Sequence, residues 1–312
     1  MESGADVKAL LPLTHIGIVV IVVKDIDETT KFLSSILGLG PWNVVVDKAS
    51  KEDMLAGETF EIKMAFAKLG PTVIELLQPL DENSVWAQFL KTKGEGLYNI
   101  AFGVSNWDEA VSKLEEHGKK VVLGEFFKGR RWCEYDTKPG EILLELIECK
   151  DANELTTALC HPSDTGAKAI SALTYWLGFA PKDVDKTIEF LSATLGIGPW
   201  KIIIDTPSKE DVPVGEQFKV KLATANFGPV ILELLQPLDD KSIWAQIIKT
   251  KGEKLCAITF TVTDYDHWVS KFRELGQEMV LASVDRNTFP EPKRWCYFAT
   301  NPGGIMFEFL EA

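Results

Sequence analysis

Residues 75–95 read ELLQPLDENSVWAQFLKTKGE, and residues 233–253 read ELLQPLDDKSIWAQIIKTKGE. The two stretches differ at only five of 21 positions and lie 158 residues apart. The same offset carries GLGPW at residues 38–42 onto GIGPW at residues 196–200. A repeat with this period indicates that one folding unit occurs twice in the chain.

Later in the unit the offset becomes 163, because RWC at residues 131–133 matches RWC at residues 294–296. We place the five extra residues in a loop near RNTFPEP. The length of 312 residues fits two domains at about 150 residues each. We predict a first domain over residues 10–148, a linker over residues 149–169, where apolar periodicity is weak, and a second domain over residues 170–312.

Each copy shows the same order of predicted elements. Residues 15–23 form an apolar, β-branched run typical of a strand, and DIDETTKFLSSILG follows with apolar residues at helical spacing. Asp25 and Gly38 suit the start and the end of that helix. Three more strands are predicted over residues 42–47, 60–68 and 72–78, and the pattern then recurs more loosely. The prediction is an α+β fold of four βαβββ modules, two in each copy.

Four segments carry a resemblance to a known family: THIGIVV, IELLQP, GLYNIAFGV and GEILLELIE, the first beginning at residue 14. In this order they resemble methylmalonyl-CoA epimerase and its relatives in the vicinal oxygen chelate (glyoxalase/bleomycin resistance/dioxygenase) superfamily. The resemblance covers nearly the whole chain except the N-terminal tail and the linker. It implies that each pair of modules curls into an incomplete, glyoxalase-like barrel whose strands project ligands onto one divalent metal.

Carried over residue by residue, the family's four ligand positions fall on His15, Glu75, Asn99 and Glu145. Asn99 stands where the family has a histidine, so the implied metal set is His15, Glu75 and Glu145. One imidazole and two carboxylates suit Co, Mn, Ni, Zn or Mg. A structural role for His15 is the alternative.

The second copy keeps fewer of these positions. Trp176 or Leu173 replaces the histidine, depending on the gap, and Ala257 replaces Asn99. The carboxylates Glu233 and Glu308 remain, and we expect this copy to be metal-free. All four glutamates lie within apolar strands, where a buried carboxylate is costly unless it is paired or functional. Strand alternation could also turn them outward.

The resemblance implies proton transfer at a carbon next to a carbonyl, through an enolate. We assign Glu145 and Glu58 as the catalytic acid–base pair; Glu61 is a rival for Glu58, and an exposed glutamate is the ordinary alternative. Asn99, Arg131 and Trp132 are assigned to substrate binding, since a planar cation beside an aromatic ring can flank a flat ligand.

The expected function is a racemase or epimerase acting on an acyl-CoA thioester or on an aryl ketone such as an isoflavanone. Two alternatives are a drug-sequestering protein without catalysis, because a fold does not fix a function, and a glyoxalase-like lyase. A ring-cleaving dioxygenase wants two histidines and one carboxylate, which the matching positions do not supply.

The composition of the chain limits the classes of binding partner. The formal net charge of −13 disfavours binding to nucleic acid or to an anionic membrane. The apolar stretch near the N-terminus has no basic flank and is too short to span a bilayer, so we predict a cytoplasmic location. The five cysteines include no CxxC pair and are predicted to be reduced and mostly buried. A small-molecule substrate and a monomer or homodimer are expected.

Overall fold

The structure is a computed structural model that describes residues 10–11, 13–135, 144–164 and 174–312. In the first copy the strands are β1 (Leu13–Val22), β2 (Asn43–Lys48), β3 (Met54–Ala56), β4 (Glu61–Leu69), β5 (Thr72–Pro79), β6 (Gly96–Val104), β7 (Val121–Phe127), β8 (Arg130–Tyr135) and β9 (Leu144–Glu148). The helices are α1 (Ile26–Leu37), α2 (Val85–Lys93), α3 (Trp107–Glu116) and α4 (Ala152–Leu159).

The second copy repeats this order without a counterpart of β3 or α4 among its described residues. Its strands are β10 (Thr174–Ala180), β11 (Lys201–Asp205), β12 (Val220–Phe227), β13 (Val230–Pro237), β14 (Lys254–Val262), β15 (Glu278–Asp285), β16 (Lys293–Ala299) and β17 (Met306–Glu311). Its helices are α5 (Val184–Leu195), α6 (Ile243–Lys251) and α7 (Tyr265–Glu274), with one 3₁₀ turn at Lys209–Asp211.

The predicted α+β fold of four βαβββ modules is confirmed. The first sheet has the strand order β2-β4-β5-β1-β6-β9-β8-β7-β3, and the second has β11-β12-β13-β10-β14-β17-β16-β15. In each sheet the two modules meet at an antiparallel pair of first strands, β1 with β6 and β10 with β14. This pairing places the two halves of each module pair side by side around one concave face.

Local signals in the sequence explain the helix ends. Asp25 accepts a hydrogen bond from the backbone N–H of Glu28, which satisfies one of the free donors at the start of α1. Gly38 ends α1 in the left-handed conformation, at φ 69°, which glycine adopts without the steric penalty of a Cβ atom. Asp183 and Gly196 do the same for α5.

The segment predicted as a linker contains a helix. Asp151 caps α4 by accepting from the N–H of Glu154, and Leu155 and Leu159 are buried against the first sheet. Two leucines four residues apart on one helical face are enough to dock a short helix, although they make a weak periodic pattern. The domain boundaries stay a prediction.

The two copies share a hydrophobic core. One cluster of buried side chains runs from β1 and α1 through α3 into β10, α5 and α7. The ring of Phe102 in this cluster meets the half-buried ring of Phe227 edge to face, with centroids 5.6 Å apart. Thr72 and Tyr175 also join the copies by a hydrogen bond. Across the described residues, no helix is both long enough and apolar enough to span a membrane.

Candidate active site

The first sheet curls around an open cavity on the face opposite the shared core, with about 480 Å³ of empty space when the solvent at its opening is included. Strand alternation determines which residues reach it. On β5, Ile74 and Leu76 pack into the shared core, whereas Glu75 and Leu77 line the cavity. The glutamates in the apolar strands therefore point inward, and not outward as alternation also allowed.

Three buried carboxyl groups lie on the central strands of this cavity: Glu75 on β5, Glu134 on β8 and Glu145 on β9. The side-chain amide of Asn99 on β6 joins two of them, because Nδ2 donates to Glu134 Oε1 and to Glu145 Oε2, each at 2.9 Å. The hydroxyl of Tyr98 donates to Glu134 Oε2 at 3.0 Å. Tyr98, Asn99, Glu134 and Glu145 thus form one hydrogen-bonded group, and Glu75 lies close enough for the charges of Glu145 and Glu134 to act on it. We call these residues the central acid cluster: Glu75, Tyr98, Asn99, Glu134 and Glu145.

Burial controls the protonation of this cluster. Loss of water around a carboxylate penalises its charged form, so burial raises the pKa of Glu145 to about 7, against the hydrogen bond from Asn99. The same cause, with repulsion by Glu145, raises the pKa of Glu134 to about 8. Burial, then repulsion by Glu145 and Glu134, holds the pKa of Glu75 well above its usual range. Burial therefore favours the protonated form of Glu75, and Glu145 has the pKa closest to neutral pH.

A second pair of acids, Asp47 and Glu125, lines the same cavity. Asp47 lies on β2 and Glu125 on β7, and their carboxyl groups are close enough for the charge of one to act on the other. Burial and the charge of Asp47 raise the pKa of Glu125 to about 8, and burial also raises the pKa of Asp47. We call Asp47 and Glu125 the rim pair.

An aromatic wall completes the cavity. The rings of Phe60 and Trp86 meet edge to face with centroids 4.9 Å apart, and Trp132 lies 6.3 Å from Phe60 and 6.2 Å from Trp86. The indole N–H of Trp132 points to Glu125 Oε2 at 3.4 Å. Flat aromatic faces beside neutral carboxyl groups suit a ligand with an aromatic or apolar body and a polar group.

Of the residues selected from the sequence, Glu75, Glu145 and Trp132 line this cavity. Asn99 is not in the lining, but its side chain holds Glu134 and Glu145 in place. His15 lies elsewhere, half-buried at the start of β1, where it pairs with Gly103. The strand continues for several residues beyond the HIG motif, so that Val20 comes opposite Glu75 and the cavity-facing side chains are Ile18 and Val20.

Glu58 and Arg131 also lie outside the cavity lining. Glu58 is exposed in the segment between β3 and β4. Arg131 adjoins Trp132 on β8, so its side chain leaves the opposite face of the strand, where it pairs with Glu148 and Asp108 at 2.8 Å. Arg131 and Trp132 therefore do not flank one ligand, and the acids that face the cavity in place of Glu58 are the rim pair.

The family model of the Glyoxalase/Bleomycin resistance protein/Dioxygenase superfamily matches the chain twice, over residues 14–135 and 175–297. Together the two matches cover more than half of the 312 residues. The chain belongs to this superfamily. The predicted resemblance is thereby confirmed, and the superfamily's name already covers lyase, drug-binding and dioxygenase members, so membership alone selects none of these functions.

Two curated relatives match about one copy of the superfamily domain. Uncharacterized protein YqjC of Bacillus subtilis (strain 168) is 31% identical over 113 residues, which cover 35% of this chain and 69% of YqjC. Human mitochondrial methylmalonyl-CoA epimerase is 30% identical over 126 residues, which cover 36% of this chain and 66% of the epimerase. The matched part thus spans about two thirds of each relative's length.

A solved structure matches the whole architecture. A mutant of 4-hydroxymandelate synthase from Streptomyces coelicolor superposes with a TM-score of 0.67, covering 96% of this chain and 93% of the synthase. At 14% sequence identity this likeness shows the fold alone. Because the superposition covers nearly the whole of both chains, the arrangement of the two copies is part of this shared fold.

Superfamily members bind divalent metals through side chains on these strands, so the cavity must be tested against that role. The predicted set of His15, Glu75 and Glu145 is not assembled, since His15 lies away from the cavity. Within the described parts of the chain, no three His, Cys, Asp or Glu side chains are arranged to hold a metal. The side chain that faces the cavity from this part of β1 is Ile18, which has no ligand atom. The Asn99 amide already donates to two carboxylates. These residues do not fit the family's chelate.

The second copy has its own open cavity, with about 500 Å³ of empty space when the solvent at its opening is included. Its aromatic wall repeats the first one, with Phe218 and Trp244 centroids 5.1 Å apart and Trp295 at 5.8 Å from Phe218. Glu233 and Glu308 take the places of Glu75 and Glu145 and are buried. The other acid positions have changed, since Tyr297 stands where the first copy has Glu134 and Ser283 where it has Glu125.

Sequence reasoning missed three cavity acids: Asp47, Glu125 and Glu134. Alternation along β8 was a usable signal for Glu134, because it lies two residues after Trp132 and so on the same face. Asp47 recurs as Asp205 at the same offset of 158. No local pattern could pair Asp47 with Glu125, because their strands meet only through the curl of the sheet.

Proposed function

We propose that the first cavity binds a small carbonyl compound and moves a proton at the carbon next to the carbonyl, so that the chain acts as a racemase or epimerase. One observation carries this proposal: two separate sets of acids with raised pKa values, the central acid cluster and the rim pair, face one aromatic cavity. A base works best when its pKa lies near the working pH, and Glu145 meets this condition.

In the proposed reaction, the carboxylate of Glu145 accepts the proton from the carbon as the C–H bond breaks. The electron pair of that bond forms the enolate. The neutral carboxyl group of Glu75 donates a hydrogen bond to the oxygen that gains charge, a role open to an acid that burial keeps protonated. The protonated member of the rim pair then returns a proton to the other face of the carbon, and the configuration is inverted.

The resting state is restored by proton exchange. After one inversion Glu145 holds a proton and the rim pair has lost one. The reverse reaction, or exchange with water at the rim, returns both groups to their starting charges. No external oxidant or cofactor is required by this balance.

Within the proposal, the lining favours an uncharged aryl ketone over an acyl-CoA thioester. No Lys, Arg or His is among the described residues that line the first cavity. Both nearby arginines are engaged elsewhere, since Arg130 pairs with Glu154 at 3.0 Å and Arg131 with Glu148 and Asp108. Lys128 lies over the Phe127 ring, with Nζ 5.4 Å from the ring centroid, so a single lysine remains near the rim pair. The phosphates of CoA would need such cations to be free. The similarity to human methylmalonyl-CoA epimerase supports epimerisation as the reaction type, but it does not support an aryl ketone as the substrate.

Solvent-deuterium exchange tests the proposal. An enantiopure isoflavanone is incubated with the protein in D₂O, and loss of the proton next to the carbonyl is followed by ¹H NMR together with loss of optical purity. We expect exchange by the wild type, a decrease of about 100-fold in Glu145→Gln, and little change in Glu308→Gln, the matched substitution in the second copy. Propionyl-CoA thioesters run in parallel separate the two substrate classes.

Binding without exchange would overturn the catalytic proposal and favour a protein that sequesters aromatic compounds. One observation supports that second candidate: the Phe–Trp–Trp wall is repeated in both copies with nearly the same spacing, whereas two of the acids, Glu125 and Glu134, are replaced in the second copy. Calorimetry with the same ketone would then show two binding sites per chain and no isotope incorporation.

A further inference from the structure

The second cavity differs from the first in ways that change its chemistry. Trp176 stands where the first copy has Ile18, and Tyr297 where it has Glu134. Tyr297 joins the aromatic wall, with its ring centroid 6.0 Å from Trp244 and 5.6 Å from Trp295. At these two positions the second cavity has aromatic rings, where the first has an isoleucine and a glutamate.

Carboxyl groups face these rings. Glu233 and Glu308 lie on the inner strands, and Asp205 and Asp285 lie towards the inserted loop after β15. No Lys, Arg or His is found among the described residues of the lining. Rings on several sides with an acid among them and no protein cation are what the recognition of an ammonium group requires.

Glu233 provides a second and independent observation. Its side chain is 6% exposed and lines the cavity, yet Oε2 is buried without a hydrogen-bond partner. The hydroxyls that could serve it are used by its neighbour, because Thr259 donates to Glu308 and Tyr297 also bonds to Glu308. An unpaired buried carboxyl oxygen is costly unless a ligand completes it.

Space has been left beside this oxygen. Gly178 on β10 pairs with Glu233, at the position that Val20 holds opposite Glu75 in the first copy. A Cβ atom added at Gly178 would lie 3.6 Å from Glu233 Oε2, which is ordinary contact. The glycine therefore keeps open a volume that a valine fills in the other copy.

The mouth of the cavity is formed by residues peculiar to this copy. The loop that contains the five-residue insertion contributes Thr288 and Phe289 to the lining. Its nearest cations are engaged, since Arg286 pairs with Asp211 at 2.9 Å and Lys201 Nζ donates to the carbonyl of Thr288 at 2.8 Å. Because both cations are engaged, neither serves as a counter-ion for the acids that line the second cavity.

From these contacts we infer that the second cavity is a separate binding site for a small organic cation, an amine or quaternary ammonium compound, with Glu233 as its counter-ion and the Trp176, Trp244, Trp295 and Tyr297 rings as its cage. This site does not depend on the reaction proposed for the first copy. Binding there needs no proton transfer and no carbonyl group.

Calorimetry on the full chain tests the inference with choline as the probe and with 3,3-dimethylbutan-1-ol, its uncharged carbon isostere, as the control ligand. We expect one choline site per chain and binding of the isostere at least tenfold weaker. Glu233→Gln and Gly178→Val should each weaken choline binding at least tenfold, which corresponds to about 1.4 kcal/mol. Glu75→Gln and Val20→Gly, the matched changes in the first copy, should leave it within twofold.

The outcomes separate the possibilities. Equal affinity for choline and its isostere would show an apolar pocket and overturn the inference, as would loss of choline binding in Glu75→Gln but not in Glu233→Gln. No binding of choline to a wild-type protein with normal circular dichroism would also overturn it. Unfolding curves of Gly178→Val verify that the variant folds, and Glu233→Gln replaces a buried carboxyl group by an amide of the same shape and so should fold as well.

Discussion

The carboxyl groups of Asp47 and Glu125 lie close together in one cavity although their strands, β2 and β7, lie near opposite ends of the same nine-stranded sheet. The sheet must curl to bring them together. The curl therefore adds a second set of acids to the cavity of the proposed reaction.

The rim pair predicts the upper limb of the pH profile. In the proposed reaction, kcat/KM falls below the pKa of Glu145, about 7, where the base is protonated, and above the pKa of Glu125, about 8, where the acid is lost. Asp47→Asn removes a negative charge that raises the pKa of Glu125. The upper limb should move to lower pH while the lower limb stays, as measured by initial rates between pH 5 and 10. An unchanged upper limb would exclude Glu125 as the acid.

Glu134 predicts how stability depends on pH. Its pKa is about 8 in the folded protein and near its ordinary value of 4.5 in the unfolded chain, so the unfolded state loses its proton first as pH rises. The free energy of unfolding therefore decreases between pH 4.5 and pH 8, at up to about 1.4 kcal/mol per pH unit for this group. Glu134→Gln should remove that slope and be more stable than the wild type by about 1–3 kcal/mol at pH 8, with little difference near pH 5.

Urea denaturation at the two pH values measures this effect. Glu58→Gln, at an exposed position, is the matched control and should follow the wild type at both. A Glu134→Gln protein less stable than the wild type at pH 8 would mean that the hydrogen bonds from Asn99 and Tyr98 outweigh the cost of burial.

Helix α4 should contribute to the stability of the first copy. Leu159 is 2% exposed and lines the cavity, so Leu159→Ala should lower the free energy of unfolding by about 2–5 kcal/mol. Leu80→Ala, at a side chain that is 45% exposed, should change it by less than about 0.5 kcal/mol. Similar values for the two variants, measured by urea denaturation, would show that α4 does not pack as described.

The shared core predicts energetic coupling between the copies. Phe102 and Phe227 belong to different copies and meet edge to face. A double-mutant cycle to alanine should therefore give a coupling energy of about 0.5–1.5 kcal/mol. Phe102→Ala combined with Leu275→Ala, at an exposed side chain, should be additive. Additivity at the Phe pair as well would indicate that the copies are energetically independent.

The fold was readable from the sequence because its signals are local. Apolar alternation, the Asp25 and Gly38 caps and the repeat at offset 158 each act within a few residues or within one comparison. Glu75, Glu145 and Trp132 were found because alternation within a strand determines which face a side chain occupies.

The remainder of the site depends on distances that local patterns do not contain. His15 was selected by its motif, but the cavity face of β1 begins at Ile18, and only the pairing of Val20 with Glu75 reveals this. The rim pair needs the curl of the whole sheet. The packing of α4 depends on two leucines whose helical spacing is too short a pattern to identify alone.

The fusion of two copies into one chain has an evolutionary consequence. In a symmetric homodimer every substitution appears twice, so a change such as Val to Gly beside the first-copy glutamate would alter both cavities at once. Here Val20 and Gly178 are separate codons, as are Glu134 and Tyr297. Selection can therefore refine one chamber for one compound while the other acquires a different preference, and the common interior keeps both halves folded throughout.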